Sequence, residues 1–293
     1  MTEIDLVNVF THMGTGGNPC PIVVDASRLP AEGMQSVARH FGHESGFVLP
    51  APSPDSDYAF RFWVPRHEME MCGHATIGAL WLLATKGLLS GGQVRIETRS
   101  GAVTGYVDHG SSGEPSVEIS QPAGKVVDLG RAEEEDVLSV LKLSRRDLLD
   151  LPIQNAVTSR VKTLIPMKGV RELNELVPDP AQIEACCARI GSTGLYPYAV
   201  DDQGERRFEA RQFPKSSGYP EDAATGIAAA ALAFGLLRNG LVPSDSERIT
   251  IMQGRAMGAL SEIRVRLGFA GSRPVGCLLG GSVALARSHV LPL

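Results

Sequence analysis

Two stretches of this chain predict helices with no polar face. Ile77, Ala79, Leu80, Trp81, Leu82 and Leu83 belong to one; Ile227, the run from Ala228 to Ala231, Leu232, Ala233, Phe234, Leu236 and Leu237 belong to the other. A helix that is apolar nearly all round is stable only when protein surrounds it on every side. The segments around both helices are short and alternate polar with apolar residues, the pattern of strands. Each helix therefore has to be wrapped by its own sheet.

The signals framing the two helices repeat in the same order. Within residues 58–107, a strand-like run from Tyr58 to Pro65 leads through a polar loop to Cys72-Gly73-His74-Ala75-Thr76, the apolar helix to Leu89, and a hairpin formed by Val94 to Thr98 and Ala102 to Val107. Within residues 206–267, Arg207 to Pro214 leads through a Ser/Gly-rich loop to Asp222-Ala223-Ala224-Thr225-Gly226, the second apolar helix to Leu237, and a hairpin of Ile249 to Gln253 and Gly258 to Val265. The fold class expected is α+β: two pseudo-symmetric lobes, each a curled, mostly antiparallel, barrel-like sheet around a buried central helix.

The other segments follow ordinary rules. Leu29 to Phe41 predicts an amphipathic helix, with Pro30 in its first turn and Gly42 past its end. Glu133 to Leu143 predicts another and Asp179 to Ile190 a third, while Asp108–Glu114, with Gly110, Ser111, Ser112 and Gly113, predicts a hairpin loop. Pro122 and Gly124 mark the connection between domains. The expected division is 1–120 for the N-terminal lobe and 121–293 for the C-terminal lobe, with the extreme C-terminus packing back on the first.

Composition removes several classes of function. Apolar residues supply 43% of the chain, ample for a core, and the formal charge is −5 with no basic stripe, which argues against a nucleic-acid partner. No apolar run is long enough to span a membrane. The first residues, MTEIDLVNVF, alternate like a strand and lack the parts of a signal peptide. Cys20, Cys72, Cys186, Cys187 and Cys277 are odd in number and contain no CxxC pair, so neither zinc nor a redox motif is indicated. Reduced thiols in a cytoplasmic protein are expected, with no metal and no organic cofactor.

Chemistry concentrates at the two helix starts. A helix N-terminus presents unpaired N–H groups and partial positive charge, which attract anions. Gly73 and Gly226 allow close backbone approach there. Two such termini facing one cleft would hold a carboxylate-bearing small molecule and stabilise negative charge on a carbon acid. His74 heads the first helix, where capping or surface exposure is the alternative role. Asp222 precedes the second, where N-capping is the alternative. Glu44 lies between a helix end and the apolar run Phe47-Val48-Leu49.

Several motifs together carry a resemblance. They are Val9-Phe10 through Gly16-Gly17-Asn18-Pro19, His43-Glu44-Ser45-Gly46-Phe47, Cys72-Gly73-His74-Ala75-Thr76, Glu221-Asp222-Ala223-Ala224-Thr225-Gly226, and Gln253-Gly254 with Met257-Gly258. In this order, over almost the whole chain, they resemble the PhzF-like proteins of phenazine biosynthesis. The resemblance implies the diaminopimelate-epimerase-like fold, a homodimer, and an isomerase that moves a proton between carbons without metal or organic cofactor. It implies Glu44 as the acid/base, His74 and Asp222 as its assistants, and Cys72, Gly73, Thr225 and Gly226 as substrate-binding positions. The chain departs from the pattern at Ile227, where a serine is usual, at Ala223 in place of proline, and at Ala259-Leu260 in place of Arg-Pro. A hydroxyl that would bind substrate is thereby missing.

Two other readings stand beside this one. Met71 to Gly78 also resembles the first catalytic turn of proline racemases and diaminopimelate epimerases, which suits a Cys72-dependent epimerase, racemase or dehydratase. Those enzymes use a second cysteine, and the Asp222–Gly226 turn has none. The third reading is a non-catalytic small-molecule binding protein of the same fold.

Overall fold

The computed structural model describes residues 1–89, 91–110, 113–217 and 219–292. The chain forms two compact units, Met1–Ser120 with Gly280–Leu293, and Gln121–Leu279. Among the described residues no helix is long and apolar enough to cross a membrane.

The first unit contains β1 (Thr2–Thr11), β2 (Asn18–Val23), α1 (Ala31–Phe41), β3 (Ser45–Pro50), β4 (Tyr58–Trp63), β5 (Glu68–Met69), α2 (Gly73–Thr85), β6 (Gly92–Thr98), β7 (Gly101–His109) and β8 (Pro115–Pro122). Pairing runs antiparallel from β1 to β2, parallel to β3, antiparallel to β4, parallel to β6 and antiparallel to β7. The short β5 lies along β4, and β8 follows β7. Helix α2 touches β1, β2, β3 and also β7, five pairings away from β1 along that order. The sheet must therefore curl around it. Leu80, Leu82 and Leu83 are buried there, each contributing about 1.5–3 kcal/mol of transfer free energy. The other face of the sheet is covered by α1, whose Met34 and Val37 pack with Ile4, Val23 and Phe47.

The second unit contains β9 (Lys125–Asp128), α3 (Arg131–Leu141), β10 (Gln154–Val157), β11 (Val161–Pro166), α4 (Val170–Asn174), α5 (Pro180–Arg189), β12 (Gly194–Val200), β13 (Arg207–Ala210), β14 (Phe213–Pro214), α6 (Gly226–Arg238), β15 (Arg248–Gln253) and β16 (Ser261–Ala270). From β10 the pairing runs antiparallel to β11, parallel to β12, antiparallel to β13, parallel to β15 and antiparallel to β16. This is the alternation of the first unit, strand for strand. Helix α6 touches β9, β10, β11 and β16, so this sheet also closes around its helix. On its outer face Val137, Leu141, Ile183 and Cys187 from α3 and α5 pack with Ile165 and Leu195. The last strand, β17 (Arg273–Leu291), runs alongside β1 as far as Leu291 opposite Thr2.

The α+β class and the central helices are those expected, and the internal repeat is longer than expected. It takes in β1–β3 and β10–β12, which the sequence comparison did not pair. Some boundaries also move. Helix α3 starts and ends two residues earlier than the expected Glu133–Leu143, because the Glu133 carboxylate accepts the Gly130 amide at 2.8 Å and Lys142 turns left-handed at φ 55°. Helix α6 begins at Gly226 because Thr225 is extended. Ser111 and Ser112 of the expected hairpin loop lie outside the described residues, as does Gly218 of the Ser/Gly-rich loop.

Candidate active site

Glu44 sits between the end of α1 and the start of β3, and Gly46 brings that strand hard against α2. A Cβ on Gly46 would lie 2.8 Å from Ile22 Cδ1 and 3.3 Å from Ala75 Cβ. A side chain there would make Ile22 give way, and the close approach delivers the Glu44 carboxylate to the first turn of α2. There Cys72, the N-cap residue of α2, makes no side-chain capping bond. Its thiol donates instead to Glu44 Oε2 at 3.3 Å. His74 Nδ1 lies 3.3 Å from the same sulfur and 3.5 Å from the same oxygen. Behind them, the Cys20 thiol donates to the Glu44 backbone carbonyl at 3.1 Å.

Burial sets the charges of this group. Glu44 keeps 20% of its side chain exposed while His74 keeps 6%. Burial holds the His74 imidazole below its usual range; the Glu44 charge opposes this and His43 adds to it. Burial also pushes the Cys72 thiol well above its usual range, reinforced by Glu44 and Cys20 and opposed by the Ala75 amide. The Cys20 thiol rises for the same first reason, then through Glu44. Both sulfurs are therefore neutral donors near pH 7, and Cys72 is not a thiolate nucleophile in this arrangement.

Donor atoms of Glu44, Cys72 and His74 lie within 4.8 Å of one another, a spacing that a metal ion could use. As the three residues stand, the thiol keeps its proton and donates it to the carboxylate, so they form a hydrogen-bonded triad; a cation binding there would have to displace that proton. Cys72, one of the expected substrate-binding positions, is 4% exposed and directs its thiol at Glu44.

The start of α6 has a related construction. Thr225 is the N-cap residue and again makes no capping bond; its hydroxyl donates to Asp222 Oδ2. Asp222 is therefore not the cap of α6. Gln253, fully buried, donates to the Asp222 carbonyl at 2.7 Å and accepts the Tyr196 hydroxyl at 2.9 Å and the Thr225 amide at 3.3 Å. Arg211 clamps the neighbouring Glu221 through two bonds of 2.8 and 2.7 Å. Gly73 and Gly226 each occupy the first helical position, with His74 and Ile227 following. Cys20, Tyr196 and Arg211 were not anticipated. A buried strand with two tyrosines, Gly194-Leu-Tyr196-Pro-Tyr198, was the available signal for Tyr196.

Residues 7–285 match the family described as phenazine biosynthesis-like protein. The chain belongs to this family. An uncharacterized isomerase from Deinococcus radiodurans is 32% identical over all of this chain and 95% of its own length. Trans-2,3-dihydro-3-hydroxyanthranilate isomerase from Pseudomonas aeruginosa is 27% identical, over 95% of each chain. The crystal structure of a PhzF-family phenazine biosynthesis protein from Bacillus anthracis superposes with a TM-score of 0.88 at 24% identity, over 99% of each chain; at that identity the likeness is one of fold.

Proposed function

We propose that this protein is an isomerase that moves a proton on a small carboxylate-bearing substrate, with Glu44 as the general base and acid and with no metal or organic cofactor. The observation that carries this reading is the Glu44 carboxylate itself: partly exposed, in an otherwise buried setting, with a thiol and an imidazole on one oxygen. The relatives named as isomerases support the reaction class. Glu44 takes a proton from an activated carbon, and the electron pair left behind is delocalised into the adjoining unsaturated or carboxylate group. The proton returns from Glu44 to a second carbon, so the enzyme ends as it began. N–H groups at a helix start, at Gly73 or Gly226, oppose the negative charge that develops. Asp222 assists from its own turn.

The competing thiol mechanism needs two cysteines, a thiolate on one face of the carbon to take the proton and a thiol on the other to return one. The turn at α6 offers Thr225 where the second cysteine would stand, and burial disfavours the thiolate form of Cys72. Incorporation of solvent deuterium into a panel of unsaturated and cyclic carboxylic acids, beginning with trans-2,3-dihydro-3-hydroxyanthranilate, tests the proposal. Exchange by the wild type that is lost in Glu44→Gln supports it. Exchange that survives Glu44→Gln and fails in Cys72→Ser rejects it. Activity that vanishes on dialysis against a chelator and returns with one metal rejects the cofactor-free part.

A further inference from the structure

Cys72 has no part in the proton transfer described above, and the α6 turn shows what such a residue does. In both units the N-cap side chain leaves its capping position and donates to an acid: Cys72 to Glu44, Thr225 to Asp222. The Thr225 hydroxyl is neutral at any physiological pH; it donates to Asp222 and accepts from Gln253 Nε2 at 3.3 Å. The same geometry at Cys72 calls for a thiol with that role.

The hydrogens around Glu44 can then be placed. An ionised carboxylate only accepts. Cys72 has one hydrogen, and it points to Oε2 across 3.3 Å. His74 Nδ1 faces that same Oε2 at 3.5 Å and the sulfur at 3.3 Å. The sulfur, 3.9 Å from Nε2 as well, lies beside the ring, so the carboxylate oxygen is the acceptor that favours a hydrogen on Nδ1. Nε2 is then left as the acceptor of the neutral ring, the reverse of the tautomer that free histidine favours.

We infer that Cys72 is a positioning residue: its neutral thiol orients the Glu44 carboxylate, and the carboxylate so placed holds His74 as the Nδ1–H tautomer. The inference rests on the proposed function only for its catalytic consequence. Nε2 becomes a lone pair beside the reaction, able to accept a proton from the substrate or a hydrogen bond from it, and Glu44 is kept in one rotamer between proton pick-up and return. Burial of both the thiol and the imidazole favours the neutral forms that this arrangement needs.

The decisive experiment uses no substrate. Long-range proton–nitrogen correlations of His74 in uniformly labelled protein at pH 7.5, assigned by their loss in His74→Gln, report which ring nitrogen bears the hydrogen. The wild type and Cys72→Ser should show Nδ1–H, and Cys72→Ala should move toward Nε2–H, with its backbone amide spectrum confirming the fold. Nε2–H in the wild type overturns the inference, and this result is available even if Cys72→Ala does not fold. A Cys72→Ala spectrum identical to the wild type overturns it as well. In deuterium exchange, Cys72→Ala should slow turnover about tenfold, the rate equivalent of one hydrogen bond to a charged group. Cys72→Ser should restore most of that rate with little change in KM. A tautomer result as expected in a protein that exchanges no acid leaves the positioning role standing and removes the isomerase reading.

Discussion

The turns that open α2 and α6 are built on one plan and carry different chemistry. Each has an N-cap residue that donates to an acid, then a glycine, then a helix apolar on all sides. Each acid has its backbone carbonyl held by a buried donor, Cys20 for Glu44 and Gln253 for Asp222. Beyond that the turns diverge. The first has a buried imidazole and two thiols around its carboxylate. The second has an amide, a tyrosine hydroxyl and, at the helical position matching His74, the aliphatic Ile227. A duplicated frame has thus kept its geometry while only one copy sets a thiol and an imidazole beside its carboxylate, the turn to which we assign the proton transfer.

The sharpest way to break this division is to exchange each acid for its amide. Glu44→Gln should reduce deuterium exchange by roughly 10²–10⁴, the contribution of a positioned general base. Asp222→Asn, and Thr225→Val, which removes the donor to Asp222, should cost about ten- to a hundredfold, in keeping with loss of one or two charge-assisted hydrogen bonds. If Asp222→Asn is the dead variant and Glu44→Gln the active one, the proton-moving turn is the second.

A fourth substitution separates the two units by stability. A Cβ on Gly124 would lie 2.4 Å from Cγ of Phe234, in the middle of α6, where a ring has little room to move. Gly124→Ala should therefore cost about 1–3 kcal/mol through overpacking. Hydrogen exchange should show α6 losing protection while α2 keeps its own.

Much of this frame was legible in the sequence because its constraints are local and chemical. An apolar helix without a polar face can only be a core helix, and the Gly/Thr turns before both helices mark their starts. The earlier part of each repeat was hidden because β2 and β3 are joined by the single helix α1, whereas β11 and β12 are joined by α4 and α5. Glu44, His74 and Asp222 were readable from motifs. Their partners were not: Cys20 reaches Glu44 across 24 residues and Gln253 reaches Asp222 across 31, and such contacts leave no mark in spacing. Asp222 was open to being read as a cap, since an acid just ahead of a helix usually is one. The structure shows Thr225 in that position and Asp222 as the acceptor of its hydroxyl.

The smallest effect is on pH dependence, and it too distinguishes the units. His43 and His74 are both held below their usual range, chiefly by burial. The unfolded chain therefore takes up protons first, and stability is lost as pH falls below about 6.5. Both residues belong to the first unit, so α2 should lose amide protection before α6 on mild acidification, and His74→Gln should narrow the gap. Thiols behave oppositely. Cys20 and Cys72 in the first unit, and Cys186, Cys187 and Cys277 in the second, are all raised mainly by burial. Their contribution is complete below the unfolded thiol range and is lost as pH rises past about 8.5, so alkaline loosening should appear in both units.

The pairing of β17 with β1 has a consequence for how the molecule comes to be folded. Asp5 lies opposite Ser288 and accepts its hydroxyl at 2.5 Å, and the two residues are 283 positions apart. The sheet around α2 therefore lacks one of its strands until residues 282–291 have been made, although its other strands are made first. The second unit, Gln121–Leu279, is complete immediately before that segment. Closing so distant a contact carries a loop-entropy cost. It predicts that trimming residues 282–292 damages the unit that carries Glu44, far from the cut in sequence.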